Sequence, residues 1–67
     1  MNIFINDEPH ETREGTILID LLEEYGFDDF KGWAIALNQI VVSRNKLKEV
    51  ILTEGDSVLL IQATQGG

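Results

Sequence analysis

Residues 16–26 read TILIDLLEEYG, and this stretch has the spacing of an amphipathic helix. Its acidic residues fall between apolar ones that recur every three or four positions, namely Ile17, Leu18, Leu21, Leu22 and Tyr25. Thr16 is suited to the N-cap, because its hydroxyl can accept a hydrogen bond from a free backbone N–H. Gly26 is suited to a left-handed C-cap. The stretch therefore predicts one helix that packs its apolar stripe, Tyr25 included, against a core.

Apolar runs on both sides of this helix predict strands. MNIFIN (1–6) alternates between apolar and polar residues and ends in a turn at 6–8, and PHETR (9–13) follows as an edge strand limited to the edge by its proline. After the helix, FDDFKG (27–32) is a predicted loop, and three more strands follow in WAIALN (33–38), IVVSR (40–44) and SVLLIQA (57–63). NKLKEV (45–50) predicts a helical turn or irregular structure, and TEGD (53–56) a tight turn. This order indicates an α+β fold, with one main helix across one face of a mixed sheet of four to five strands.

Length, charge and composition narrow the class of function. The chain has 67 residues, enough for one small domain, and no cysteine, so packing alone must stabilise it. A net charge of −7 disfavours nucleic acid and anionic membranes and suits a positively charged protein partner. The N-terminus lacks the pattern of a signal peptide, and no apolar run approaches the length of a membrane span. We therefore expect a cytoplasmic protein.

The side chains do not form a recognisable active site. His10 is the only histidine, and in a predicted edge strand it is expected to face solvent. The adjacent acids at 23–24 and 28–29 point in different directions on helix or loop and are expected to be solvated. No phosphate-binding glycine motif is present. The prediction is a protein that is not an enzyme and binds no metal or cofactor of its own.

The last residues, QATQGG (62–67), follow directly on an apolar strand. We expect one folded domain over 1–62 and a flexible tail over 63–67, which reaches about 16 Å when extended. Glycine has no Cβ, so the backbone of such a tail can enter a narrow slot in another protein. The Gly67 carboxylate is a poor electrophile that becomes reactive only after activation, for example as an acyl-adenylate. Residues Thr64, Gln65 and Gly66 lead to it.

Several short pieces of the sequence, taken in their order and spacing, resemble a known family. They are an opening strand that ends in Asn6, Thr16 before Leu21-Leu22, AIALN at 34–38 with Val42 and Arg44 after it, Gly55-Asp56, and Gly66-Gly67. This combination is similar to the thiamin-biosynthesis sulfur carrier (ThiS) family of ubiquitin-like β-grasp proteins, and the resemblance spans nearly the whole chain.

The resemblance implies a mechanism in which partners perform the chemistry. An E1-like adenylating sulfurtransferase would use ATP to convert the Gly67 carboxylate to an acyl-adenylate. Sulfur from a persulfide donor would displace AMP, and the resulting thiocarboxylate would deliver sulfur to thiazole synthase.

Strand alternation predicts which face meets these partners. If Val58, Leu60, Ile35 and Leu37 point toward the helix, the outward residues form an exposed apolar patch of Phe4, Ala36, Leu59 and Ile61, with Ala63 beyond them. An alternative is that the loop around 27–33 covers this face. Trp33 is expected in the core.

Three other functions fit the same sequence. A small subunit of molybdopterin synthase shares the fold and tail, although QAT rather than proline precedes the glycines here. A ubiquitin-like modifier would join Gly67 to lysines of target proteins. A plain interaction module would have glycines that are merely a frayed end.

Overall fold

Five strands form one mixed sheet in the order β2-β1-β5-β3-β4. The computed structural model describes residues 1–27 and 32–62 of the chain. The innermost strand, β5, runs parallel to β1 and antiparallel to β3. The elements are β1 (Asn2–Ile5), β2 (Glu8–Glu11), α1 (Leu18–Glu24), β3 (Trp33–Leu37), β4 (Ile40–Val42), a 3₁₀ helix (Arg44–Lys46) and β5 (Ser57–Gln62). The predicted mixed α+β sheet with one main helix is confirmed.

Two tight hairpins build the sheet on either side of β5. The β1–β2 turn contains Asn6 at φ 52° and Asp7 at φ 68°, and the β3–β4 turn contains Asn38 at φ 50° and Gln39 at φ 73°. Positive φ at both central residues is what a two-residue type I′ turn requires, and asparagine tolerates this conformation better than most residues. Each asparagine therefore lies where a strand flanking β5 reverses.

Helix α1 covers one face of the sheet. Its predicted stripe is confirmed at Leu18, Leu21 and Leu22, which are fully buried. These leucines pack with inward-facing residues of the sheet and of the connection between β4 and β5, namely Ile3, Ile5, Ile35, Leu47, Leu52 and Val58. Burial of such side chains stabilises the fold by about 1.5–3 kcal/mol each, so packing holds the chain together as the absence of cysteine requires.

The start of α1 differs from the prediction. Ile17, rather than Thr16, occupies the N-cap position, and no side chain caps the helix. The Leu18 and Ile19 N–H groups instead donate to the backbone carbonyls of Val50 (2.8 Å) and Leu47 (3.1 Å). The Thr16 hydroxyl donates to the Arg13 carbonyl at 2.6 Å. The predicted cap is wrong because a distant backbone segment satisfies the free donors first.

At the end of α1 the predicted glycine cap is present, but the side chain of Tyr25 is not where it was predicted. Gly26 takes φ 94°, its N–H donates to Glu23 O, and the Phe27 N–H donates to Leu22 O. These two bonds form a Schellman motif, so the predicted glycine cap is confirmed. Tyr25, predicted in the core, is instead 44% exposed. It lies at the C-cap, where the helix has passed the end of its buried stripe.

Candidate partner-docking face

Strand β5 begins between β1 and β3, continues beside β3 to Gln62, and precedes the terminal glycines in the sequence. Its residues pair with β3 along nearly its whole length, from Leu37↔Val58 to Trp33↔Gln62. Gln62 is the last described residue. The residues predicted to form the tail lie outside the described residues, as does the predicted boundary of the tail; they are Ala63, Thr64, Gln65, Gly66 and Gly67.

The predicted alternation of the strands is confirmed on the helix side of the sheet. Val58 and Ile35 are buried in the core, and Leu37 and Leu60 pack against it. Their sequence neighbours therefore face the opposite side. Phe4 pairs with Ser57, Ala36 with Leu59 and Ala34 with Ile61, so these six residues share the face that α1 does not cover.

We call this surface the outer face. Val41 of β4 also lies on it, because Val41 pairs with Ala36. The exposed apolar side chains of the outer face are Phe4 (40% exposed), Ile61 (45%) and Val41 (65%). Leu59 is half-buried between them. Exposed apolar side chains grouped on one face are characteristic of protein-interaction surfaces. Among the described residues, no element packs over these three side chains strongly enough to bury them. The alternative prediction was that the loop around 27–33 covers this face. Residues 28–31 of that loop lie outside the described residues.

For two residues of the outer face, the exposure of the side chain differs from the prediction. Ala36, predicted to be exposed, is only 3% exposed. It pairs with Leu59 on one side and Val41 on the other, and these larger side chains shield its single methyl group. Val41 was missed. Its outward position follows from the IVV alternation in β4, which the sequence analysis applied to the other strands but not to this one.

Trp33, predicted in the core, lies outside the buried cluster, although the alternation of β3 places it on the helix side of the sheet with Ile35 and Leu37. It is half-buried and stacks edge-on with Phe27, with ring centroids 5.1 Å apart. A depression of about 230 Å³ opens beside it next to β4, and its lining includes the helix-side residues Ile35, Val42 and Leu47 as well as Ala34, Val41 and Arg44. Small-molecule sites usually have 300–1,000 Å³, so this depression suits part of a protein surface better than a whole ligand. A wider hollow of about 440 Å³ near the start of α1 is lined by Glu14, Asp20 and Glu24, but it is open and polar.

His10 is not placed for catalysis. It pairs with the buried Ile3, so it faces the helix side rather than solvent and is half-buried, contrary to the prediction. Its Nε2 lies 3.5 Å from Oε1 of Glu24, and its ring meets Tyr25 edge-on at 5.9 Å. The same Glu24 oxygen accepts a hydrogen bond from the Thr12 hydroxyl at 3.2 Å. This cluster joins β2 to α1.

A hydrogen-bonded carboxylate fixes the start of β5. Oδ2 of Asp56 accepts from the Thr53 N–H (2.8 Å), and Oδ1 accepts from the Thr53 hydroxyl and from Nδ2 of Asn38 (both 3.1 Å). Oδ1 of Asn38 in turn accepts from the Ser57 N–H at 2.9 Å. Burial alone would raise the pKa of Asp56, but the hydrogen bonds from Thr53 and Asn38 outweigh it and hold that pKa below its usual value.

Within residues 1–27 and 32–62, histidine and acidic side chains do not gather into a group of three or more that could hold a metal ion. In the same residues, α1 is far too short and polar to cross a membrane, and the same holds for the 3₁₀ helix. What the described part of the chain offers is a rigid sheet, an exposed apolar face and a central last strand. These features define a β-grasp fold with an exposed apolar face on its sheet.

Comparison with known proteins agrees with this class. The model of the ThiS family matches residues 3–67. The chain is 34% identical to the sulfur carrier protein ThiS of Escherichia coli, and the match covers all of both proteins. It is 39% identical to a thiazole synthase of Magnetococcus marinus over all 67 residues, although it spans only 20% of that longer protein.

Solved structures show the same fold. The crystal structure of a thiamine biosynthesis protein (ThiS) from Geobacter metallireducens superposes with a TM-score of 0.88 at 23% identity, and the match covers both chains completely. Its NMR structure gives a TM-score of 0.77 and is covered over 88% of its length.

The chain belongs to the ThiS family. It is a sulfur carrier of thiamine biosynthesis rather than an enzyme, which confirms the predicted family, fold and role.

Proposed function

We propose that this chain carries sulfur as a thiocarboxylate on Gly67, delivered to partner active sites by residues 63–67 while the outer face docks. The observation that carries the proposal is the placement of β5. This strand lies between β1 and β3 in the sheet, contributes Leu59 and Ile61 to the outer face, and reaches Gln62 five residues before Gly67. The family model also extends through residue 67.

The chemistry has three steps, none of which uses a side chain of this protein. The Gly67 carboxylate attacks the α-phosphorus of ATP on an E1-like adenylating enzyme, which gives an acyl-adenylate and releases pyrophosphate. The terminal sulfur of a persulfide then attacks the acyl carbon, and AMP leaves with the electron pair of the broken C–O bond. A thiol finally cleaves the S–S bond of the acyl disulfide; that thiol and the donor cysteine form a disulfide, and the thiocarboxylate is released.

We propose thiazole synthase as the acceptor of this sulfur. A relative named thiazole synthase contains a region 39% identical to the whole of this chain. Joining a carrier and its acceptor in one polypeptide raises their effective concentration, so such an arrangement supports a direct partnership. It also favours the thiamine branch over a molybdopterin synthase subunit. ATP is a substrate of the adenylating enzyme, and we propose a cytoplasmic location for the whole exchange.

The test is the intact mass of the chain after incubation with ATP, a sulfide source and the cognate adenylating enzyme. We expect a mass increase equal to one oxygen replaced by sulfur. The increase should be located at Gly67, and the new thiocarboxylate should be trapped by a thiol alkylator. The chain lacking Gly67 should fold normally and show no increase. Sulfuration of the truncated chain would contradict the proposed site.

The same experiment separates the alternatives. Conjugates heavier than the free chain, with Gly67 joined to lysines, would indicate a protein modifier. An unchanged mass with an enzyme that is demonstrably active would indicate an interaction module.

A further inference from the structure

The last part of β5 has a strand on only one side. β1 ends at Ile5, which pairs with Val58, whereas β5 continues to Gln62. On the other side β3 accompanies β5 throughout, as the pair Trp33↔Gln62 shows. A strand flanked on one side only is free to twist or bend away from its neighbour. The direction of β5 where it leaves the sheet therefore depends on what replaces β1 beyond Ile5.

The side chain of Asn6 takes the place of the missing strand. Its backbone N–H donates to Val58 O at 2.9 Å, which continues the spacing of the β1–β5 ladder. Its Oδ1 then accepts a hydrogen bond from the Leu60 N–H, also at 2.9 Å. Because Asn6 has φ 52°, its main chain turns away into the hairpin, and the side-chain amide supplies the acceptor that a further strand residue would have supplied.

We propose that Asn6 is a positioning residue that aims residues 63–67 into the active site of the adenylating enzyme. This inference rests on the proposed function, because it concerns delivery of the Gly67 carboxylate. When a slot in the partner holds residues 63–67 extended, a change of about 15° in the direction of β5 would move Gly67 by about 4 Å relative to the docked domain. Misplacement of a reacting group by about 1 Å can already slow a reaction a hundredfold. A bond that fixes the base of the segment therefore affects rate rather than docking.

In this proposal the outer face binds the adenylating enzyme, whereas Asn6 sets the direction in which residues 63–67 leave the sheet. The two roles can be tested separately. Asn6 contributes no apolar side chain to the outer face, whose exposed members are Phe4, Val41 and Ile61. Its Oδ1 accepts a hydrogen bond from the backbone of β5, at the Leu60 N–H. Loss of the amide should accordingly lower kcat for adenylation and leave KM for the carrier nearly unchanged.

Three variants isolate the side-chain acceptor. Asn6→Gly removes it while favouring the positive φ of the turn, so this variant is expected to fold. Asn6→Asp retains an oxygen at the same position and should restore the bond. Asp7→Gly makes a glycine substitution in the same turn without touching β5 and is the matched control. If Asn6→Gly does not fold, Asn6→Ser serves as a second truncation.

Two measurements test the proposal. In Asn6→Gly, amide hydrogen exchange at Leu60 should be about fivefold faster than in the wild type, as expected for loss of one hydrogen bond, whereas exchange at the core residues Ile3 and Ile35 should be unchanged. In the same variant, kcat for adenylation should fall roughly tenfold with KM within about twofold. Asn6→Asp and Asp7→Gly should match the wild type in both measurements.

Each outcome decides a different point. Faster exchange at Leu60 with unchanged kcat would overturn the inference, because the bond would then be merely structural. A rise in KM with unchanged kcat would also overturn it, since the residue would then act through docking. A wild-type chain that active enzyme never adenylates would overturn the proposed function as well, and this result is visible before any variant is compared.

Discussion

At the scale of single residues, Asp56 is the acid whose ionisation is tied to the fold. Its carboxylate accepts hydrogen bonds from Thr53 and Asn38, and its pKa in the folded protein is lower than usual. A lowered pKa means that the ionised form stabilises the native state. This stabilisation is fully present above the pKa of the unfolded chain, about 3.9, and is lost as pH falls through the folded-state pKa.

We therefore expect Asp56→Asn to lower the free energy of unfolding by about 1 kcal/mol at pH 7, a value kept small because the site is partly exposed to solvent. The difference from the wild type should narrow as pH falls from 5 toward 3, as urea titrations at several pH values would show. Asp7→Asn makes the same change in net charge in an exposed turn and serves as the control. A difference that does not depend on pH would show that ionisation of Asp56 plays no part.

At the scale of elements, the C-terminus of α1 depends on the backbone conformation of one glycine. Gly26 takes φ 94°, and a Cβ added there would meet no atom within 4 Å. Any penalty of substitution is therefore conformational rather than steric. We expect Gly26→Ala to lower the free energy of unfolding by about 1 kcal/mol.

Asparagine tolerates the left-handed region better than alanine, so Gly26→Asn should lose less stability than Gly26→Ala. Thermal or urea unfolding of the two variants, side by side, measures the difference. Equal losses would show that the Schellman motif can form without the left-handed residue, and that the conformational argument is wrong for this helix.

At the scale of the whole molecule, the exposed apolar residues are unevenly placed. Ile61 lies on the outer face beside β3, whereas Ile51 forms an isolated bridge with Ile17 near the start of α1 and is 63% exposed. We expect Ile61→Asp to weaken binding to the adenylating enzyme at least about tenfold, because a charge would be buried in the interface. Ile51→Asp makes the same chemical change and should leave the affinity unaltered.

Binding measured by calorimetry, together with a urea midpoint for each variant, separates the two effects. Equal weakening by both variants would point to general repulsion by added negative charge on a chain that already has a net charge of −7. Unfolding of Ile61→Asp alone would place Ile61 in the core, in conflict with its exposure.

Local residue patterns were sufficient to predict the succession of strands and helix along the chain, the glycine cap of the helix, and the residues on each face of β5. The family resemblance followed from short pieces such as Asn6 and Gly55-Asp56. Errors occurred where a side chain's surroundings come from distant parts of the chain. Thr16 does not cap α1, because the carbonyls of Val50 and Leu47 accept the hydrogen bonds from the first N–H groups of the helix. His10 is half-buried because the strand register places it opposite Ile3.

The sequence by itself determined the fold class, one helix across a mixed sheet, because the period of apolar residues sets helix and strand and because turn residues mark their ends. Only the tertiary structure decided which outward residues are open to a partner. Ala36 and Val41 are neighbours on one face, yet the small side chain is shielded and the large one at the edge is exposed. Accessibility depends on the size of the cross-strand neighbours, and those neighbours are chosen by strand pairing between residues far apart in the chain.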